Sequence, residues 1–364
     1  MNNYKISLTM KNFYRYLAAF ALLLSLSVIY SDVQAGNKDR SGQAGAPELL
    51  VNPWSRSLGW GGITTANDRG VESMFANIAG LAYVNKLDFE FSQTQWLKGS
   101  GISISNFGLG VRLGETGALG ISVFSMKFGD LTVTTTDQPD GTGATFKPSL
   151  LNFSLSYAKN FSNSISAGIT VRLISESIPD ASAQGICLDA GVMYVTGERD
   201  QAKFGISLRN LGPNMKFTGD GFSIKAFFGG NDYTMSVYQR SESFELPTQL
   251  RIGASYDFLI GDWNRLTAAA NFTSNSFTKD QFGVGLEWSL KDYLMLRAAY
   301  NYENGINDDV NNVNRTNAYN GFSFGGSVEA PLSKKSKLTL GIDYAYQMTD
   351  NFSGTQCFGV RLKF

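Results

Sequence analysis

The sequence predicts an all-β protein: a 14-stranded antiparallel transmembrane β-barrel with an N-terminal lumen plug. Three observations carry that expectation. Apolar and polar letters alternate with period two in fourteen segments between Leu87 and Phe364. The links between those segments are short and long in turn. The composition suits a membrane wall better than an enzyme: of 364 residues 39 are Gly, 26 Phe and 16 Tyr, 8 are Pro, and none is His. Without histidine there is no Ser-His-Asp or Cys-His triad, no His base and no His-ligated zinc or haem. Two cysteines, Cys187 and Cys357, cannot build a four-cysteine zinc site. Basic and acidic side chains balance at 31 each, so no basic field is available for nucleic acid. The expectation is a non-enzyme with no catalytic residue, cofactor or metal.

The chain opens on an address. Lys5, Lys11 and Arg15 precede the apolar run Tyr16–Tyr30, and Val33-Gln34-Ala35 supplies small residues where signal peptidase cuts. The run is shorter than the about 20 apolar residues of a membrane-spanning helix. Residues 1–35 therefore read as a signal peptide, cleaved near Ala35. Its removal takes away Lys5, Lys11, Arg15 and Asp32 and leaves a weakly acidic chain. Residues 36–53, small and polar, read as a flexible periplasmic tail. Residues 54–86 read as a plug or hatch: Gly59, Gly61 and Gly62 permit tight turns, and a short helix is expected over Val71–Ile78 with Asp68 near its start.

The barrel itself is expected over residues 87–364. In Ile165–Leu173 the apolar set Ile165, Ala167, Ile169, Val171 and Leu173 alternates with Ser166, Gly168, Thr170 and Arg172. Such alternation gives one strand face to an apolar medium and the other to a polar space. The fourteen segments are 87–96, 101–113, 117–128, 149–159, 164–175, 186–196, 202–210, 246–257, 264–274, 281–290, 293–303, 321–331, 336–347 and 354–364. Their lengths suit tilted membrane strands, and the even count suits a bacterial barrel. Two of them break phase: Ile102 and Ile104 against Phe107, Leu109 and Val111, and Val123 against Met126 and Phe128. A bulge or kink in each is the expected repair. The long links are Gly129–Pro148, Glu176–Gly185, Leu211–Glu245 and Asn304–Asn320, all after odd-numbered strands. Short turns on one side and long loops on the other is the outer-membrane asymmetry, with the short side and both termini periplasmic.

On the apolar face, aromatics such as Tyr157, Phe161, Tyr194, Phe258, Trp288, Tyr302, Tyr344 and Phe364 sit near strand ends, as an interfacial girdle requires. The opposite face carries Arg112, Arg172, Asp189, Arg209, Arg251, Asp257, Glu287, Arg297, Asp343, Arg361 and Lys363. Mixed signs in a confined lumen favour pairing, so these residues read as a structural network rather than a one-sign selectivity ring. The loop Asn307–Asn314 is dense in oxygen ligands but lacks the Gly and Glu of an EF-hand, and reads as solvated.

The final strand Thr355–Phe364 ends on an aromatic and resembles the terminal signal of chains folded by the outer-membrane barrel assembly machinery. Further stretches extend the resemblance. Asn210-Leu211-Gly212-Pro213 is similar to the NLG segment of FadL-superfamily barrels, and Leu246-Pro247 with Gly253–Tyr256 to their LP…G-x-x-Y segment. Asp189–Tyr194 is similar to their D-x-G-x-x-Y strand, while Arg297–Tyr300, Gly341–Ala345 and Phe358–Phe364 resemble the closing strands of the PorV/PorQ branch. The chain departs from the family where Asn77-Ile78-Ala79-Gly80-Leu81 replaces Asn-Pro-Ala-Gly-Leu, which relaxes a backbone restriction in the hatch.

The resemblance implies an outer-membrane component of the type IX secretion system of Bacteroidetes. Such a component binds C-terminal signal domains of cargo and passes them from the translocon barrel to the surface attachment machinery. Its partners would be outer-membrane lipid, the translocon barrel and secreted cargo proteins. The alternatives are a FadL-type outer-membrane transporter for hydrophobic small molecules, and a general porin. For cargo binding the expected contact is Leu211–Glu245, which carries Phe222, Phe227, Phe228, Tyr233 and Tyr238.

Overall fold

The computed structural model describes residues 38–227, 234–309, 312–333 and 338–364. The leader expected over residues 1–35 lies outside them. Fourteen strands form the wall: β1 (Leu87–Trp96), β2 (Ile102–Leu113), β3 (Gly117–Lys127), β4 (Ser149–Asn160), β5 (Ile165–Ile178), β6 (Ala181–Thr196), β7 (Ala202–Leu211), β8 (Gln249–Ile260), β9 (Asn264–Asn275), β10 (Gln281–Leu290), β11 (Leu294–Glu303), β12 (Tyr319–Ser333), β13 (Leu338–Thr349) and β14 (Thr355–Lys363). Each pairs antiparallel with its neighbour in the chain, and β1 pairs with β14 from Asp88↔Lys363 to Gln95↔Gln356, so the sheet closes on itself. Closure leaves no edge strand. Outward positions carry an exposed apolar band that includes Ile169, Ile206, Phe282, Val284, Ile342 and Phe358. On a soluble protein that band would aggregate; on a barrel it faces lipid.

Two expectations about the wall are corrected. The β1–β2 and β2–β3 ladders run in unbroken register, with no bulge at either phase break. Inward positions simply stay even-numbered, and Ile104, Phe124 and Met126 occupy them near the loop end. The lost alternation records an apolar stretch of interior, not an extra residue. The true register shifts lie between Leu188 and Ala190, opposite the end of β7, and at both ends of the β12–β13 pair. The link expected over Glu176–Gly185 is mostly strand: β5 and β6 extend to Ile178 and Ala181, joined only by Pro179-Asp180. The Leu211–Glu245 link is also structured. Met215–Thr218 pairs with the β6 extension and with Ser243–Phe244, and Ser223–Phe227 pairs with Thr234–Tyr238.

A third correction concerns residues 36–53, expected as a flexible periplasmic tail. Ala46, Glu48 and Leu49 are buried. They pack where the long loops are: Ala46 and Leu49 cluster with Met215 and Leu246, the Gly45 N–H donates to the Glu245 carbonyl, and Arg40 pairs with Glu245 at 2.8 Å. The two apolar letters in Ala46-Pro47-Glu48-Leu49 are the driving force. The first described residues are thus at the loop end, whereas Phe364 is at the turn end, bonded to Lys86.

From Ala46 to Val84 the chain runs inside the ring. It forms a one-turn helix α1 (Ser55–Gly59), a one-turn helix α2 (Ser73–Ala76) and a 3-10 helix over Ile78–Tyr83. The longer helix expected over Val71–Ile78 stops at Asn77, which is extended (φ −152°, ψ 107°). Its side-chain amide donates to the carbonyls of Thr65 and Val192 and accepts from the Ala79 N–H. That clamp holds Asn77 in the conformation a following proline would enforce. The proline missing at Ile78 is replaced by hydrogen bonds.

Candidate functional site: the lumen

Inward strand positions meet the inner segment largely through glycine. A Cβ on Gly285 would lie 2.7 Å from the Trp60 ring, and one on Gly359 would lie 2.9 Å from the Ser55 Cβ. A Cβ on Gly205 would strike the Thr65 carbonyl, and Gly108, Gly120, Gly253 and Gly283 face Trp54, Leu81, Thr65 and Ile63 in the same way. Missing side chains let a folded segment sit directly on the wall.

Among the described residues, most of the expected lumen charges gather in three polar groups. The largest spans β9–β14. Glu287 accepts from Arg297 at 2.9 Å and from Arg56 at 3.5 Å, and Arg265 stands at 3.8 Å. Arg56 also reaches Glu72 within the inner segment, so the network ties that segment to the wall. Arg297 continues to Ser327, Ser327 to Asp343, and Asp343 to Arg361 at 2.6 Å. The second group gathers three of the sequence motifs. Arg172 donates to Asp189 at 2.7 Å and to Asn210; the Asp189 carboxylate accepts from the Asn210 N–H at 2.7 Å; the Asn210 amide donates to the Pro247 carbonyl. Asn210 is left-handed (φ 59°), a conformation Asn tolerates better than most residues. This clamp fastens the β6–β7 register shift. In the third group Asp257 accepts from Lys203 at 2.6 Å and from Thr267 at 2.8 Å.

The remaining expected lumen residues do otherwise. Arg112 forms no ion pair among the described residues; it donates to the carbonyls of Ala82 and Val84, where the inner segment leaves the ring, and to that of Glu115. Arg209 and Arg251 stack on Phe75, with guanidinium carbons 3.9 and 5.2 Å from the ring centroid. Sequence reasoning missed Arg56, Glu72, Phe75, Lys203 and Arg265. Lys203 and Arg265 begin strands at inward positions, so the alternation itself could have found them.

Near the loop end the interior changes character. Ile104, Phe124 and Met126 form an apolar ledge, flanked by half-buried Val51, Trp96, Ile102, Phe128 and Leu150. Below the ledge is a cavity of ≈ 30 Å³ bounded by Leu49, Trp54, Met74, Phe75 and Phe124 and by polar Asn106 and Asn152. At its rim, in the turn at the mouth, Glu48 is buried. Burial first, and then the neighbouring Glu176 charge, push its carboxyl up to about 7.

Of the loop aromatics, Phe228 and Tyr233 lie outside the described residues. Phe222 and Tyr238 pack together at 6.1 Å, and Phe227 is 78% exposed.

No protein-family model matches the chain, and no curated protein matches it in sequence. Solved structures do resemble it. The toluene transporter TbuX of Ralstonia pickettii superposes with a TM-score of 0.54 at 12% identity, over 86% of this chain and 99% of that one. The CymD monoaromatic hydrocarbon channel gives 0.52 at 14% identity, over 86% and 98%. A FadL homologue of Pseudomonas aeruginosa gives 0.50 at 12% identity, over 89% and 98%. At such identities the likeness is one of architecture: the chain has the fold of FadL-type outer-membrane channels.

Proposed function

We propose that the chain is a closed outer-membrane passage for small hydrophobic molecules, reached from the loop end. The observation that carries this reading is the apolar ledge of Ile104, Phe124 and Met126, which leads from the mouth to the cavity beneath Leu49 and Trp54. A polar pore has no use for such a surface, and a purely structural barrel would fill it. The kinship of fold with hydrocarbon channels supports the same direction. In this reading residues 54–86 are the plug, residues 1–35 are the leader removed on export, and the charge networks are structural, fixing plug to wall. Passage then requires residues 45–54 to lift. The test is uptake of a labelled monoaromatic hydrocarbon by cells expressing the protein. Uptake should exceed that of vector controls and fall several-fold in Phe124→Lys; uptake no faster than the control contradicts the proposal.

A second reading, docking of type IX cargo, is favoured by one observation. The hairpin Ser223–Phe227/Thr234–Tyr238 stands clear of the wall with Ile224, Phe227, Met235 and Tyr238 exposed. Replacing residues 223–238 by a tight turn separates the readings. Unimpaired hydrocarbon uptake with cargo held in the periplasm would favour docking, and normal export would remove it.

A further inference from the structure

We infer that Arg209 and Arg251, on the inward faces of β7 and β8, hold a small monovalent inorganic anion of chloride size beside Phe75. The site is additional to the hydrophobic passage and does not depend on it. Three observations carry the assignment.

The first is a charge imbalance. Among the described residues the buried arginines are Arg172, Arg209, Arg251, Arg297 and Arg361. Arg172 holds a carboxylate at 2.7 Å, Arg297 one at 2.9 Å and Arg361 one at 2.6 Å. Arg209 and Arg251 hold none among the described residues, and they are neighbours on the same Phe75 ring. A guanidinium does not escape burial by shedding its proton, and a buried charge without a counter-charge is strongly disfavoured. The acids whose charge reaches Arg251 are Asp189 and Asp68, neither at ion-pair distance. Asp189 is already committed to Arg172 and to the Asn210 N–H. The face of Phe75 attracts a cation but carries no net charge.

The second is the donor set. Arg209 spends Nη1 on the Gln249 amide oxygen at 3.1 Å and Nη2 on the Leu49 carbonyl at 3.3 Å, both neutral acceptors. Arg251 makes no hydrogen bond among the described residues. Its Nε and Nη1 are sealed without a partner, so Nη2 is the nitrogen still open to an acceptor. Thr273 lies directly across the β8–β9 ladder from Arg251 and is buried. It accepts from the Asn271 amide at 2.9 Å, while its own hydroxyl proton goes to no acceptor among the described residues. A guanidinium N–H and a hydroxyl at adjoining inward positions give an anion two donors.

The third is the setting. Arg251 keeps 7% of its surface and Arg209 1%, so the space left to Arg251 is a narrow gap within the packed lumen. Ser207, across the β7–β8 ladder from Arg251, is small and turns its hydroxyl to the Ala76 carbonyl. Such a gap disfavours a bulky organic acid or a hydrated polyanion and suits a bare monovalent ion. The same ion would offset the repulsion between the two guanidiniums. Both bear on Phe75 of the inner segment, and Arg209 also holds Leu49. A bound anion thereby fastens α2 and residues 46–50 to β7 and β8.

The experiment is chlorine-35 NMR line broadening of chloride by the full mature protein in uncharged maltoside micelles, with empty micelles subtracted and ionic strength held constant. Wild type should show a saturable excess width that bromide and nitrate displace and gluconate does not. Arg251→Met should abolish it, and Arg251→Lys, which keeps the charge, should retain part. Thr273→Val should weaken binding about three- to ten-fold, the worth of one hydrogen bond. Lys147→Gln, at an exposed loop position, should leave it unchanged. Heat-modifiable electrophoretic mobility reports that each variant is a folded barrel. In wild type that mobility should persist to a higher temperature in chloride than in gluconate, because a ligand of the folded state stabilises it; the difference should vanish in Arg251→Met. No saturable component in wild type, or a full-sized one in Arg251→Met, overturns the inference. If Arg251→Met does not fold, Thr273→Val decides, and an unchanged affinity there overturns it. Displacement of chloride by octanoate at lower concentration than by bromide also overturns it, in favour of an organic carboxylate.

Discussion

Asp189 and Asn210 show how much one inward carboxylate and one left-handed amide secure. Their bonds join β5, β6, β7 and the Pro247 link at a single point. Asp189→Asn would leave Arg172 buried without its counter-charge. Loss of one partner of a buried ion pair costs about 3–5 kcal/mol, so the urea midpoint of the folded barrel should drop markedly. Asn210→Gly keeps the positive φ free of strain and should cost less, about 1–3 kcal/mol for the lost hydrogen bonds. Glu48 supplies a pH dependence at the same end. Its carboxyl is raised from 4.5 to about 7 in the folded chain, so the folded state holds a proton that the undocked segment releases. Docking of residues 46–50 is strongest below pH 4.5, weakens as pH rises toward about 7, and is level above it. Hydrogen exchange of those amides, corrected for intrinsic rates, should show this slope, and Glu48→Gln should flatten it. The inward acids and most inward arginines are visible in the sequence as charged letters in phase. Their pairing is not, because Arg209 and Arg251 choose the Phe75 ring over an acid.

At the scale of elements, period two located all fourteen strands, because each must face lipid on one side and a polar interior on the other. It misled at β2 and β3, where Ile104 and Met126 turn apolar side chains inward and mimic a slip of phase. It was silent about the seat of residues 46–84, since the wall meets them with glycine, which has no hydropathy to read. The tail's docking was carried by only Ala46 and Leu49, too few letters to stand out in a polar stretch. Glycine contacts predict their own test. Gly205→Val would drive a side chain into the Thr65 carbonyl, and Gly285→Val would drive one into the Trp60 ring. Both should loosen the inner segment while the ladders persist, raising single-channel conductance in planar bilayers above the wild-type level. Gly326→Val, whose nearest contact is a comfortable 3.6 Å from the Leu296 side chain, should leave conductance unchanged.

For the whole molecule, the proposed passage requires release of residues 45–54 at the mouth, above the segment that packs on the inward glycines of the wall. The seal is visible at Gly45, where a Cβ would lie 2.6 Å from Phe244 Cγ. Cysteines at these two positions would therefore place their sulfurs within reach of each other. Native Cys187 belongs to the same buried cluster and is replaced by Ser to prevent mispairing. The decisive measurement is hydrocarbon uptake by cells expressing Gly45→Cys/Phe244→Cys in that background, before and after reduction. Passage gated by residues 45–54 predicts uptake at the vector level when oxidised and recovery to the wild-type rate on reduction. Equal uptake in the two states, with the disulfide verified as formed, would contradict it.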